Sequence, residues 1–192
     1  MDAASAYEQH ACDFLRERDK SAIGAHVAAR WARTLARGAD VIEIASGGGY
    51  PVTRELEAAG LRLWAVDGSP TLVAKFQSRF PGIPVQCARV QDTDFFGRDY
   101  DGAIAIGLLF LLPEPDQAAL VARIAEILVR GGRFLFTAPI EIGNWLDLTT
   151  GLECQSLGRD RYEELLANAC FRLIATYEDE GANTYYDAEK VG

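Results

Sequence analysis

The sequence predicts an α/β protein: a doubly wound, seven-stranded, mostly parallel sheet ending in a C-terminal antiparallel hairpin. Three observations carry this. Short apolar runs alternate with helical patterns from Val41 to Ala138, the signature of βαβ units. The first run ends in Ser46-Gly47-Gly48-Gly49 and passes directly into a helical pattern. The last two runs are separated only by a short turn, and strands that close pair antiparallel.

The elements follow in order. The first forty residues read as helical: Tyr7, Ala11, Phe14 and Leu15 share one face, and Ile23, Val27, Ala28, Trp31 and Leu35 another. Arg37-Gly38-Ala39-Asp40 ends the second of these helices, with glycine near the C-cap. Strand 41–45 precedes helix 52–59, strand 61–66 precedes helix 70–80, and a short strand lies at 85–88. Strand 102–106 precedes helix 115–129, and strand 133–138 closes the alternation. The tail adds helix 160–169 and strands 171–177 and 184–188, turning at Gly181. No repeat or linker divides residues 1–192, so a single domain is expected.

Hydrophobic residues make up 49% of the 192 and charged residues 24%, an ordinary globular composition. The net charge of −9 argues against a nucleic-acid partner, which calls for a basic footprint. The longest apolar run, Gly102 to Pro113, is too short to span a bilayer. Cys12, Cys87, Cys154 and Cys170 show no C-x-x-C spacing, and Met1-Asp2 opens no secretory pattern. Reduced thiols and a cytoplasmic setting are expected.

The glycine loop is the centre of the functional reading. Glycines are poor residues for strand or helix interiors, so three together point to positive φ or to close approach of a ligand. Ligands of open α/β sheets bind outside the carboxyl ends of the strands. Glu43 precedes the loop, and Asp67 ends the next strand, about 20 residues on, where a dinucleotide fold places its ribose-binding acid. Yet Gly47-x-Gly49 is followed two residues later by Val52, so the third glycine of G-x-G-x-x-G is missing. Glu43 beside the loop also suits a cationic ligand better than a diphosphate.

These residues resemble the class I S-adenosylmethionine-dependent methyltransferases, of the small-molecule type. VIEIASGGGYPVTREL is similar to their strand–acid–G-x-G-x-G motif, with Ala45 in place of the first glycine. The likeness continues through LWAVDGSPTLVAKF, RVQDTDFF, YDGAIAIGLLFLL and ILVRGGRFLFTAP, where Arg130 replaces a proline. The tail strands match the antiparallel pair of this Rossmann-like methyltransferase fold. The resemblance implies S-adenosylmethionine as cofactor, S-adenosylhomocysteine as product, and no metal. It implies a cofactor site of Glu43, Ala45, Ser46, Gly47, Gly49, Asp67, Gly68, Arg89, Val90, Gly107 and Leu108. Arg89 stands where the family often has Asp, and the register there is open toward Cys87 and Ala88. Residues 1–38 would form a helical lid.

Methyl transfer from a sulfonium is an in-line displacement with an activated leaving group. Orientation alone lowers such barriers by up to roughly 7–11 kcal/mol, so no base is required. Candidate catalytic residues are His10, Glu141 and Tyr185. His26, beside Val27 and Ala28, reads as a structural helix residue. Candidate substrate contacts are Tyr7, Phe110, Trp145 and Asn183, with Asn144, Trp145 and Asp147 in a polar loop. Tyr185 and Tyr186 point to opposite sheet faces, so one at most meets a pocket. The expected partner is a small molecule, the protein being a monomer or homodimer. A nicotinamide-dependent oxidoreductase and a non-catalytic S-adenosylmethionine-binding protein are the rival readings.

Overall fold

The computed structural model describes residues 2–192. The chain opens with helices α1 (Ala3–Gln9), α2 (Ala11–Arg18) and α3 (Ala25–Ala32). It continues through β1 (Asp40–Ile44), α4 (Val52–Ala58), β2 (Arg62–Asp67), α5 (Pro70–Arg79), β3 (Val85–Cys87), β4 (Tyr100–Ala105), α6 (Glu114–Ile127) and β5 (Leu128–Thr137). Strands β6 (Ile142–Leu146) and β7 (Glu153–Leu157), helix α7 (Arg159–Asn168) and strands β8 (Phe171–Glu178) and β9 (Thr184–Lys190) complete it. The main sheet has seven strands in the order β3-β2-β1-β4-β5-β9-β8. The first five are parallel, and β9 runs antiparallel to both β5 and β8.

Side-chain alternation along the strands builds a core on each face. Val41, Leu63, Ile104 and Leu135 point to one side, beneath Val27, Ala28 and Trp31 of α3 and Leu56 of α4. Ile42, Ile44, Ala103, Phe134 and Phe136 point to the other, beneath Leu120, Val121 and Ile124 of α6 and Leu165 and Leu166 of α7. The tail tyrosines divide as a period of two requires. Tyr185 joins the α3 side, and Tyr186 stacks on Phe136 at 5.0 Å with ring planes 6° apart. Asp187 is fully buried on β9, and burial of a charge demands a partner. It is paired by the Arg133 guanidinium and accepts a hydrogen bond from Tyr177 Oη at 3.0 Å.

Three local expectations are corrected. The N-terminal region holds three helices rather than two, the last ending at Ala32: Gly24, at φ +85°, sits between α2 and α3, and Ile23 lies outside both, 39% exposed. Strand β5 begins at Leu128 rather than 133 because the Val129–Gly132 stretch bulges within it. The polar loop carrying Asn144 and Trp145 is instead strand β6, paired antiparallel with β7 as a separate ribbon, with Trp145 opposite Cys154. Asp147 lies just beyond it, in the turn. His26 lies on α3, in a helix as expected, with its side chain exposed. No helix among the described residues is long and apolar enough to cross a membrane.

The expected lid, 1–38, occupies two environments. Helix α3 is a layer of the core. Helices α1 and α2 lie across the carboxyl edge of the sheet. The Glu8 carboxylate accepts from the Ser69 hydroxyl, from Thr71 N at 3.0 Å and from Thr71 Oγ1 at 2.8 Å, an anion placed at the positive end of α5. Arg79 pairs with Asp19 and donates to Gly48 O at 2.9 Å.

Candidate active site

A cavity of about 280 Å³ opens at the carboxyl ends of β1, β2 and β4, beneath α1 and α2. That is near the lower edge of the roughly 300–1,000 Å³ common for small-molecule sites. A smaller recess adjoins it, lined by Glu43, Ala45, Ser46, Gly47, Gly48 and Arg18.

The glycine loop gets its shape from backbone sign and from packing. Gly47 and Gly49 sit at φ +56° and +85°, and Ala45, where the family pattern has its first glycine, also holds φ +57°. A Cβ on Gly48 would lie 2.5 Å from Leu15 Cδ2, and one on Gly68 2.4 Å from Ala4 Cβ. The glycines therefore admit the lid helices as well as opening the loop. Ser46 Oγ is buried without a hydrogen-bond partner among the described residues, a polar atom left over at the loop.

Asp67 is the floor of the cavity. It is 7% exposed. Its Oδ2 accepts from Gly47 N at 2.8 Å and its Oδ1 from Ser69 N at 2.9 Å. Burial raises its pKa, and the two backbone donors oppose that rise. Each carboxylate oxygen keeps a further lone pair, so Asp67 can still accept from two ligand hydroxyls.

Glu43 lies one layer deeper, accepting from Thr53 Oγ1 at 2.5 Å. Burial pushes its pKa up to about 8, against the Thr53 hydrogen bond and the nearby Arg18 charge. Between pH 4.5 and 8 the folded protein thus holds a proton the unfolded chain has released, so stability falls as pH rises through that window. In Glu43→Gln the fall in melting temperature from pH 5 to pH 8, measured without ligand, is expected to shrink. An unchanged slope would show that Glu43 does not titrate there.

Of the other sequence-expected residues, Ala45, Gly47, Gly68, Arg89, Val90, Gly107 and Leu108 line the main cavity, as do Tyr7, Phe110, Asn183 and Tyr185. Ala88 and Gln91 line it beside Arg89 and Val90, whereas Cys87 does not. Four expectations are corrected. Gly49 faces Phe80, not the cavity. Trp145 reaches the cavity only through Phe110, their ring centroids 5.4 Å apart. His10 sits at the α1–α2 junction, outside the lining. Glu141 is exposed and also outside it.

Sequence reasoning missed Phe14 and Arg18, and placed Asp147 only as one residue of a polar loop. Phe14 was placed only on an apolar helix face, where it packs edge-on against Tyr7 at 5.2 Å. Arg18 Nη1 donates to Ile23 O at 2.9 Å, and burial lowers its pKa. It joins no salt bridge among the described residues. Asp147 Oδ1 accepts from Tyr7 Oη at 3.2 Å, tying the β6–β7 turn to α1. No group of three or more His, Cys, Asp or Glu side chains is placed to hold a metal among the described residues.

Comparison with known proteins agrees with this geometry. Residues 41–132 match the family model described as a methyltransferase domain. Among solved structures, 1,6-didemethyltoxoflavin-N1-methyltransferase of Burkholderia thailandensis has a TM-score of 0.75 at 21% identity, covering 100% of this chain and 92% of that one. Magnesium protoporphyrin IX methyltransferase of Synechocystis PCC 6803 has a TM-score of 0.70 at 16% identity, covering 86% and 77%. An amino pentose methyltransferase of Micromonospora echinaspora also has 0.70 at 16%, covering 91% of each chain. A comparison with curated protein sequences gave no match. Residues 41–132 thus match a methyltransferase domain, and the whole chain shares the fold of these methyltransferases.

Proposed function

We propose that this enzyme moves a methyl group from S-adenosylmethionine to a small-molecule acceptor inside the cavity beneath α1 and α2. The observation that carries this is Asp67: a buried carboxylate aimed by two backbone N–H groups, with lone pairs to spare, at the floor of a cavity edged by a positive-φ glycine loop. The neighbours named above act on small molecules, which supports that class of acceptor.

When bound, S-adenosylmethionine supplies a methyl group on a sulfonium, already activated for displacement. The chain's residues do the rest. Asp67 accepts from the ribose hydroxyls. Gly68, Arg89 and Val90 flank the adenine, with Ala88 and Gln91 continuing that wall. Ala45, Ser46, Gly47, Gly107 and Leu108 border the methionine part. Glu43, which the sequence placed among the direct contacts, acts from beneath the loop, favouring a cationic ligand by ionising. Arg18, desolvated beside the loop and in no salt bridge among the described residues, takes the cofactor's carboxylate. Helices α1 and α2 form the lid, held down by Glu8 and Asp19, and exclude water.

Phe14, Phe110, Ile106 and Tyr185 then wall the acceptor, and orientation supplies the catalysis. His10 and Glu141 take no part. The four cysteines are free, in keeping with a reducing cytoplasm, and the net charge of −9 fits a small-molecule substrate rather than nucleic acid. The protein works as a monomer or homodimer. Release of S-adenosylhomocysteine across a panel of phenols, amines and thiols tests turnover. Release that depends on one class of acceptor is expected. Binding without release to any acceptor would favour a non-catalytic cofactor-binding protein.

A further inference from the structure

We propose that the acceptor half of the cavity selects a planar molecule presenting hydrogen-bond donors, an amine or a ring N–H, because the polar side chains facing it are held as acceptors by two carboxylates, Asp147 in the lining beside them and Asp179 behind it. The inference rests on the reading of this cavity as the methyl-transfer site. It goes further by naming the acceptor's chemistry.

The first carboxylate is Asp147. Its Oδ2 accepts from Thr149 N at 3.2 Å, Thr150 N at 2.8 Å and Thr150 Oγ1 at 2.7 Å, and its Oδ1 from Tyr7 Oη at 3.2 Å. An ionised carboxylate only accepts. The Tyr7 proton is therefore committed to Asp147, and toward the cavity Tyr7 offers lone pairs.

The second is Asp179, in the β8–β9 turn. It accepts from Tyr185 Oη at 2.7 Å, from Gly181 N at 2.9 Å and from Asn183 N at 3.0 Å. It also accepts from Asn183 Nδ2, at 3.0 and 3.2 Å to its two oxygens. The Tyr185 proton is committed outward, and the Asn183 amide is turned so that its carbonyl oxygen is the free end. Tyr7, Tyr185 and Asn183 all line the cavity, so two carboxylates set one polarity for all three. Burial raises both tyrosine pKa values, which keeps the hydroxyl protons in place at neutral pH.

The remaining wall is apolar and partly flat, with Phe14, Ile106 and Phe110. The charged donors lining the cavity are Arg18, at the glycine-loop side, and Arg89, on the adenine wall, both assigned above to the cofactor. An acceptor with ring N–H or amine groups pairs with these oxygens. A carboxylate or ether of the same shape meets lone pairs and leaves them desolvated, which costs more than the missing hydrogen bond alone.

Indole and benzofuran share shape and differ in N–H against ring oxygen. Their binding to the full chain saturated with S-adenosylhomocysteine, followed by ligand-observed NMR, tests the polarity. Indole is expected to bind about tenfold tighter, the scale of one hydrogen bond plus one avoided lone-pair clash. In Asp147→Asn, the amide oxygen takes the place of Oδ2 on the Thr149 and Thr150 N–H groups and the amide NH2 turns to Tyr7, releasing the Tyr7 proton into the cavity. The preference is then expected to fall to about one or to invert, and in Tyr7→Phe to weaken without inverting. Equal binding of the two bicycles, binding of neither, or a preference unmoved by Asp147→Asn would overturn the proposal. Failure of S-adenosylhomocysteine to bind the unaltered protein would instead overturn the methyl-transfer reading, so the two failures are distinguishable.

Discussion

Asp67→Ala is expected to raise the dissociation constant for S-adenosylhomocysteine about a hundredfold or more. A hydrogen bond to a charged group contributes about 1.5–3 kcal/mol. Two ribose hydroxyls accepted by one carboxylate thus account for about 3–6 kcal/mol, with each 1.4 kcal/mol a factor of ten. The substitution also removes the acceptor for Gly47 N and Ser69 N, at about 1–3 kcal/mol for a buried donor left unmade. Relief of the desolvated charge, visible in the raised pKa of Asp67, offsets part of that. Calorimetric titration at a temperature where circular dichroism shows the variant folded separates the effects. Unchanged affinity would mean that Asp67 serves only to hold the loop.

Gly49→Ala is expected to destabilise the whole protein by about 2–5 kcal/mol. An L side chain at φ +85° costs roughly 1–2 kcal/mol, and overpacking adds about 1–3. The new Cβ would lie 2.3 Å from Phe80 Cε2 and 2.9 Å from Phe80 Cδ2. Phe80 is itself only 6% exposed and sits against Phe76, so it has little room to yield. For a chain of this size a melting-temperature drop of about 5–15 °C follows. Gly48→Ala is the contrast. Its Cβ would meet Leu15 Cδ2, the end of a flexible lid side chain, at 2.5 Å. There the lid is expected to give, with faster hydrogen exchange in α1 and α2 and a small change in melting temperature. Equal destabilisation by the two changes would contradict the distinction between loop packing and lid packing.

Much of this was legible because particular residues break the pattern around them. Asp67 is an acid at the end of an apolar run, where only a ligand or a helix terminus calls for one. The structure shows it serving Ser69 N at the start of α5 and Gly47 N at the loop. The parity of Tyr185 and Tyr186 follows from the strand period, so their division between faces was legible too. Strand β1 was expected at 41–45 and lies at Asp40–Ile44, because a fully buried parallel strand is written as a continuous apolar run.

The β6–β7 ribbon was illegible for a physical reason. The apolar side chains of β6 do not pack into a core, Ile142 being 82% exposed and Leu146 66%, and only Cys154, Ser156 and Leu157 of β7 are buried. Periodicity records burial, and where little is buried it is silent. Arg18 was illegible because its helix ends there and its charge reads as solvated. Only the docking of α2 over the loop desolvates it. Asp147 gains its importance from Tyr7, 140 residues away in sequence. The misplacement of His10 and Glu141 has the same origin: a reactive side chain near a site in sequence need not point into it.

Calorimetric titration of the unaltered protein with S-adenosylhomocysteine and, separately, with NAD is the most direct test of the central claim. The account predicts saturable one-site binding of S-adenosylhomocysteine and, at about 100 times its Kd, roughly 2.7 kcal/mol of added stability. It predicts no heat and no stabilisation with NAD. Binding of NAD in place of S-adenosylhomocysteine would contradict it and return the glycine loop to a dinucleotide.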